Sequence, residues 1–174
     1  KSIVTSKSEH DRPFAGYVYL SHNRLKVSNK SLKKSSYQLG ILGPAALGKE
    51  LQVFIHDIYG FKEPIGWKYQ IKNNIALNYL REITKKIGEK KRKLSDVFYS
   101  YGYQIGTIKT NTFLTLQGRI GFKKLSSFQN SIAFRTNLQH KEKRKVESLL
   151  VWKVSNRFVL YDATIQGSLF NNKS

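Results

Sequence analysis

An antiparallel all-β fold with one short inserted helix is what this sequence predicts, and three observations predict it. Residues Asp96–Ile105 alternate with period two: Val97, Tyr99, Tyr101, Tyr103 and Ile105 share one face, Asp96, Ser100, Gly102 and Gln104 the other, and Phe98 alone breaks the polar side. Thr112–Phe122 repeats the pattern, with Leu114, Leu116, Ile120 and Phe122 against Thr115, Gln117 and Arg119, and the short link Lys109–Asn111 makes the two strands a hairpin. The third observation is Pro44–Tyr59, which reads as a helix because Pro44 suits a first turn, Gly60 suits the stop, and Leu51, Phe54, Ile55 and Ile58 supply apolar anchors.

Taken in chain order, strand readings fit Tyr17–Val27, Tyr37–Leu42, Ile75–Thr84, Asp96–Ile105, Thr112–Phe122, Ile132–Thr136, Leu149–Val154 and Phe158–Leu169, eight strands with the helix between the second and third. Paired strands with small residues, arginine or glutamine on the minor face resemble a barrel wall with an apolar exterior and a wet interior. A soluble sandwich alternates too, burying its apolar face in a second sheet. Tyrosines near strand ends favour the membrane reading, since an amphipathic ring suits the head-group level. The length of 174 residues allows one domain with a real core, and neither an internal repeat nor a domain linker interrupts it.

The formal net charge of +20 directs the chain to anionic partners without choosing among nucleic acid, acidic phospholipid and the phosphates of lipopolysaccharide. Cysteine is absent, which excludes disulfides, thiol catalysis and thiolate metal sites. No run of about eighteen apolar residues exists, so a transmembrane helix is excluded, but a barrel strand needs only about ten alternating residues. Three basic clusters read as loops: Lys30 with Lys33 and Lys34, Lys85–Lys93, and His140–Lys145. With eight alternating strands, the first two share one rim and the third lies on the other beside the helix, which does not make a single nucleic-acid groove.

Gln52 and His56 are the candidate chemical pair. Four residues apart on a helix, they stack one turn from each other and can present an amide and an imidazole to one site. Imidazole titrates near neutral pH, which suits a general base steadied by a hydrogen-bonding partner; a plain surface or packing histidine gives the same spacing. Asp11 and Arg12 read as an ion pair at a strand entrance with Pro13 fixing the turn, and Trp67 as an interfacial anchor or core residue. Ser100 and Ser168 have no base beside them in sequence, and His10, His22 and His140 form no spaced metal motif.

Two segments resemble a known family, the outer-membrane lipid A 3'-O-deacylases of the LpxR type. DRPFAGYVYL, Asp11–Leu20, is close to that family's Asp-Arg-Pro-aromatic-Ala-Gly signature, and LGILGPAALGKELQVFIHDIYG, Leu39–Gly60, is followed by the similar GWKYQIKN of Gly66–Asn73. YDATIQGSLF, Tyr161–Phe170, resembles a late strand of the family. The resemblance implies a twelve-stranded antiparallel barrel, monomeric, in the outer membrane of a Gram-negative bacterium, of which residues 1–174 are one domain truncated at both ends. It implies hydrolysis of the ester that holds the 3'-acyloxyacyl chain of lipid A, with calcium as cofactor and lipopolysaccharide, not nucleic acid, as partner. It puts the general base at His56, its partner at Gln52, and an oxyanion or phosphate contact at Lys1.

The chain departs from that family in three respects. Essential residues of the family lie upstream of Lys1, Lys68 stands where the family prefers an acidic residue, and no tight Asp/Glu cluster offers the six or more oxygens calcium takes, so the metal ligands are unassigned. The alternatives are a non-catalytic or inactivated barrel that binds lipopolysaccharide, and a soluble basic sheet that binds nucleic acid.

Overall fold

The computed structural model describes residues 13–28, 30–62, 64, 66–88, 94–127, 130–134 and 146–167. The elements are β1 (Tyr17–Val27), β2 (Ser31–Leu42), α1 (Gly48–Tyr59), β3 (Asn74–Ile87), β4 (Ser95–Gly106), β5 (Lys109–Gly121), β6 (Leu149–Asp162) and the short α2 (Ala163–Gln166). The six strands make one antiparallel sheet in which each pairs with the next in sequence, so the chain runs as a simple meander. Among the described residues the sheet is open, with β1 and β6 at its edges, rather than closed into a barrel.

Among the described residues six strands replace the eight expected. Leu149–Val154 and Phe158–Asp162 are parts of one strand, β6, which gives way to α2 after Asp162; the expected strand end at 168–169 lies outside the described residues. Ile132–Phe134 is a single 3-10 turn, not a strand; Glu147 accepts hydrogen bonds there from Ser131 Oγ and the Ile132 amide at 3.0 Å each. Losing one strand before β6 reverses the expected direction of Leu149–Val154. The connection that carries His140–Lys145 therefore leaves β5 and returns to β6 at the rim shared by the β1–β2 and β3–β4 connections, opposite α1. His140–Lys145 themselves lie outside the described residues, and Lys33, Lys34, Lys85 and Lys86 belong to strands, not loops.

The sheet is inside-out relative to a soluble protein. Cross-strand register puts Val18, Leu20, Leu39, Ile41, Ile75 and Leu77 on one face, and that face is open: Leu20 is 80% exposed. The opposite face carries Ser36, Asn78, Thr84, Ser100, Asn111 and Thr115, all buried, Ser36 at 4%. These polar groups pair within the face, Thr84 with Ser100 at 2.7 Å and Thr115 with Ser155 at 2.6 Å. No second sheet covers the apolar face among the described residues, so the sandwich geometry is not the one adopted. Strands of 11 to 14 residues are long enough to span a hydrocarbon core when tilted, and no helix described is long and apolar enough to do so.

Each end of the inner face has its own filling. On the α1 side Leu42, Ile71, Ala76, Ile108 and Ala163 form an apolar cluster flanked by Ala15, Tyr17 and Tyr161. At the far rim Arg119, 1% exposed, donates from Nε and Nη2 to both carboxylate oxygens of Asp96 at 2.6 Å each, with Glu147 3.8 Å from its Nη1. The guanidinium sits 5.4 Å from the Phe98 ring centre and 5.5 Å from that of Phe134. Phe98, the single break in the polar side of its strand, is thus the packing surface for a buried cation.

Arg119→Ala leaves Asp96 only the Lys86 ammonium at 3.4 Å and Glu147 only its hydrogen bonds, and is expected to destabilise the fold by about 3 kcal/mol, the lower end for a broken buried pair. Denaturant unfolding of the detergent-solubilised protein checks this; a midpoint equal to wild type contradicts it.

Candidate functional site

The stretch predicted as one helix, Pro44–Tyr59, is a 3-10 turn over Pro44–Ala46 followed by α1, with Leu47 between them in the left-handed conformation at φ 55°. The turn is tied to the sheet: the Ala45 amide donates to Asn73 Oδ1 at 2.8 Å and the Gly43 amide to the Gly16 carbonyl at 2.8 Å. The start of α1 lies directly on the wall. A Cβ on Gly48 would stand 2.8 Å from the Gly16 Cα and 2.9 Å from the Trp67 ring, so backbone meets backbone there with no space for a side chain.

The faces of α1 are inverted relative to a helix packed on a soluble core. Leu47, Leu51, Phe54, Ile55, Ile58 and Phe61 are exposed, whereas Gln52 and His56 are half-buried. Turning polar groups inward and apolar ones outward suits an interface between protein and lipid.

Gly60 ends the helix at φ 65° and folds the chain back, the Phe61 amide donating to the His56 carbonyl at 2.8 Å. That reversal brings the Lys62 carbonyl to 2.6 Å from His56 Nδ1, and the Phe61 ring edge-on to the imidazole at 5.6 Å between centres. A carbonyl only accepts, so Nδ1 carries the proton and Nε2 of the neutral ring keeps its lone pair. On the other side the Trp67 indole, which only donates, gives its Nε1–H to Gln52 Oε1 at 2.8 Å. The Gln52 amide is thereby fixed with its NH2 toward His56 Nε2, 3.4 Å away. Trp67 is in turn buried against Phe14, ring centres 5.1 Å apart.

The expected pair does come together, but two partners were not foreseen. The carbonyl that sets the tautomer belongs to Lys62, and the donor that orients Gln52 is Trp67; Gly60 is the sequence signal for the first, and nothing local signals the second. Next to Trp67 a concavity of about 820 Å³ is lined by Pro44, Lys49, Pro64, Lys68, Gln70 and Lys72. Lys1, Asp11 and Arg12 lie outside the described residues. No group of three or more His, Cys, Asp or Glu side chains converges among the described residues, so no carboxylate cluster for calcium is assigned among them.

Comparison with known proteins adds the following. A family model described as outer membrane protein LpxR matches residues 2–174. The solved structure of LpxR from Salmonella typhimurium is similar at a TM-score of 0.70 and 21% identity, over 91% of this chain and 55% of that one. The chain thus spans little more than half the length of that protein. No curated protein matches.

Trp67→Phe keeps the ring but removes the donor, and is expected to free the Gln52 amide to flip while the Lys62 carbonyl still holds the proton on His56 Nδ1. Nitrogen-15 spectra check this: the Nδ1–H form of the imidazole persists in the variant while the Gln52 side-chain amide signals shift or broaden, and an imidazole protonated on Nε2 contradicts the assignment.

Proposed function

The chain belongs to the LpxR family of outer-membrane proteins of Gram-negative bacteria, and from that premise we propose that the whole protein hydrolyses the 3'-acyloxyacyl ester of lipid A with His56 as general base. The observation that carries the reading is the fixed tautomer: Nδ1–H is held by the Lys62 carbonyl, and Nε2 is left as the proton acceptor.

The chemistry follows from the groups in place. His56 Nε2 takes a proton from a water molecule as its oxygen bonds to the ester carbonyl carbon. The tetrahedral adduct then collapses, the bond from the acyl carbon to the sugar 3' oxygen breaks, and the imidazolium returns the proton to that oxygen. The products are a free 3' hydroxyl and a released acyloxyacyl acid. Gln52, oriented by Trp67, points its NH2 at the Nε2 lone pair in a long contact of 3.4 Å, which steadies the ring at rest and gives way when water takes its place at Nε2. Because no calcium ligand is assigned among the described residues, no step is routed through it.

A lipid substrate suits the surroundings. The outward apolar face of α1 offers acyl chains a surface continuous in character with the wall, and Lys49, Lys68 and Lys72 line the neighbouring concavity, where a lipid A phosphate is recognised by charge.

The test is mass spectrometry of lipid A from Gram-negative cells expressing the full-length protein and its His56→Ala variant. Loss of one acyloxyacyl unit with wild type, falling by about 10²–10⁴ in rate with the variant, is the expected outcome. Undiminished release by a membrane-inserted His56→Ala protein sinks the assignment of the base. Binding of lipopolysaccharide without release by wild type favours the inactive barrel.

A further inference from the structure

Charge on the outer wall is segregated. Among the described residues the lipid-facing side of the sheet carries Arg24, Lys26, Lys33, Arg81 and Lys85 and no carboxylate; Glu82, Asp96 and Asp162 lie on the inner side by register. All five cations sit on β1–β3 in the half away from α1. The wall there is layered from the α1 rim: first aliphatic, with Leu20, Leu39 and Leu77 in one row; then aromatic, with His22, Tyr37 and Tyr79 in the next alternate row, ring centres 6.4 and 4.9 Å apart; then cationic.

The cationic layer is organised around a hollow. Arg24 and Arg81 flank Ser35 in one cross-strand row, and Arg81 Nη1 donates to Ser35 Oγ at 2.7 Å. In the next alternate row Lys26 lies directly opposite Lys33, an arrangement that repels. Together with Tyr37 these residues line a concavity of about 170 Å³. Strand pairing alone gains nothing from a like-charge pair with no counter-charge on its face, so the layer calls for an anion from outside the chain.

We infer that this hollow binds the phosphodiester head group of an anionic phospholipid in the periplasmic leaflet. The leaflet assignment rests on the lipid A reading, which puts the α1 rim at the outer leaflet and this rim at the opposite one. The aromatic row marks the head-group level, and cations just beyond it stand at the depth of lipid phosphates. Arginine meets phosphate oxygens through paired N–H groups, and the two lysines contribute as point charges. A zwitterionic head group brings an ammonium into a cationic cluster without a carboxylate to receive it, so phosphatidylglycerol is favoured over phosphatidylethanolamine.

The test is native mass spectrometry of the full-length protein released from detergent containing equimolar phosphatidylglycerol, phosphatidylethanolamine and lipid A. Wild type is expected to retain phosphatidylglycerol preferentially. K26Q/K33Q, two exposed substitutions whose folding is checked by heat-modifiable migration, is expected to lower that retention by about tenfold or more. Equal retention by wild type and variant, or no preference for phosphatidylglycerol in wild type, overturns the proposal. Retention of lipid A in its place, lost in the same variant, also overturns it by putting this face in the other leaflet. Acyl release is measured in parallel on the unmodified protein. If release is absent while phosphatidylglycerol retention falls in K26Q/K33Q, the head-group site stands and only the lipid A reading fails.

Discussion

Backbone hydrogen bonding in a medium without water is the constraint on which this structure depends. A strand in hydrocarbon has to pass every N–H and C=O to a neighbour, which favours long, regular, antiparallel pairing. From β1 to β5 the register runs without a shift, and the single irregularity, between Thr110 and Asn111 against β6, falls beside the α1 rim. Regular pairing fixes which side chains share a face. Once Leu20 faces out, Ser36 and Asn78 have to face in, and their burial requires the hydrogen bonds seen across the inner surface.

The inner surface solves its two ends by different physics. Near α1 the filling is aliphatic, where the wall must support a helix that contributes no buried residue of its own. At the far rim it is ionic, with Arg119 held by Asp96 and pressed between two aromatic rings, while Glu147 ties the incoming β5–β6 connection to Ser126 and Ser131. The cation is expensive to bury alone, and the geometry supplies both counter-charge and polarisable surface.

Strand existence was legible from alternation where the inner face is small and polar, as in β4, and β1 has the limits expected of it. Legibility failed where polar residues occur inside a strand. Ser155, Asn156 and Arg157 read as a break between two strands, yet Ser155 is paired with Thr115 and Arg157 lies over the Phe113 ring, contacts that only the neighbouring strand supplies. Ser31 to Lys34 read as loop for the same reason and extend β2 against β3. Conversely, Ile132 to Thr136 has the alternation of a strand, but the turn capped by Glu147 takes Ile132 to Phe134. At the site, the helical spacing of Gln52 and His56 was visible because it is local. The Trp67 donor, fifteen residues from Gln52, depends on a fold-back that no periodicity encodes.

The partner of His56 Nδ1 is a main-chain oxygen. Side-chain partners can be deleted by one codon change; a carbonyl is present whatever residue occupies position 62, so drift at that position leaves the imidazole's proton where it is. The vulnerability moves instead to Gly60, whose left-handed backbone carries the reversal that delivers the carbonyl. Genetic fragility at this centre is therefore displaced from the residue that makes the contact to the hinge that aims it.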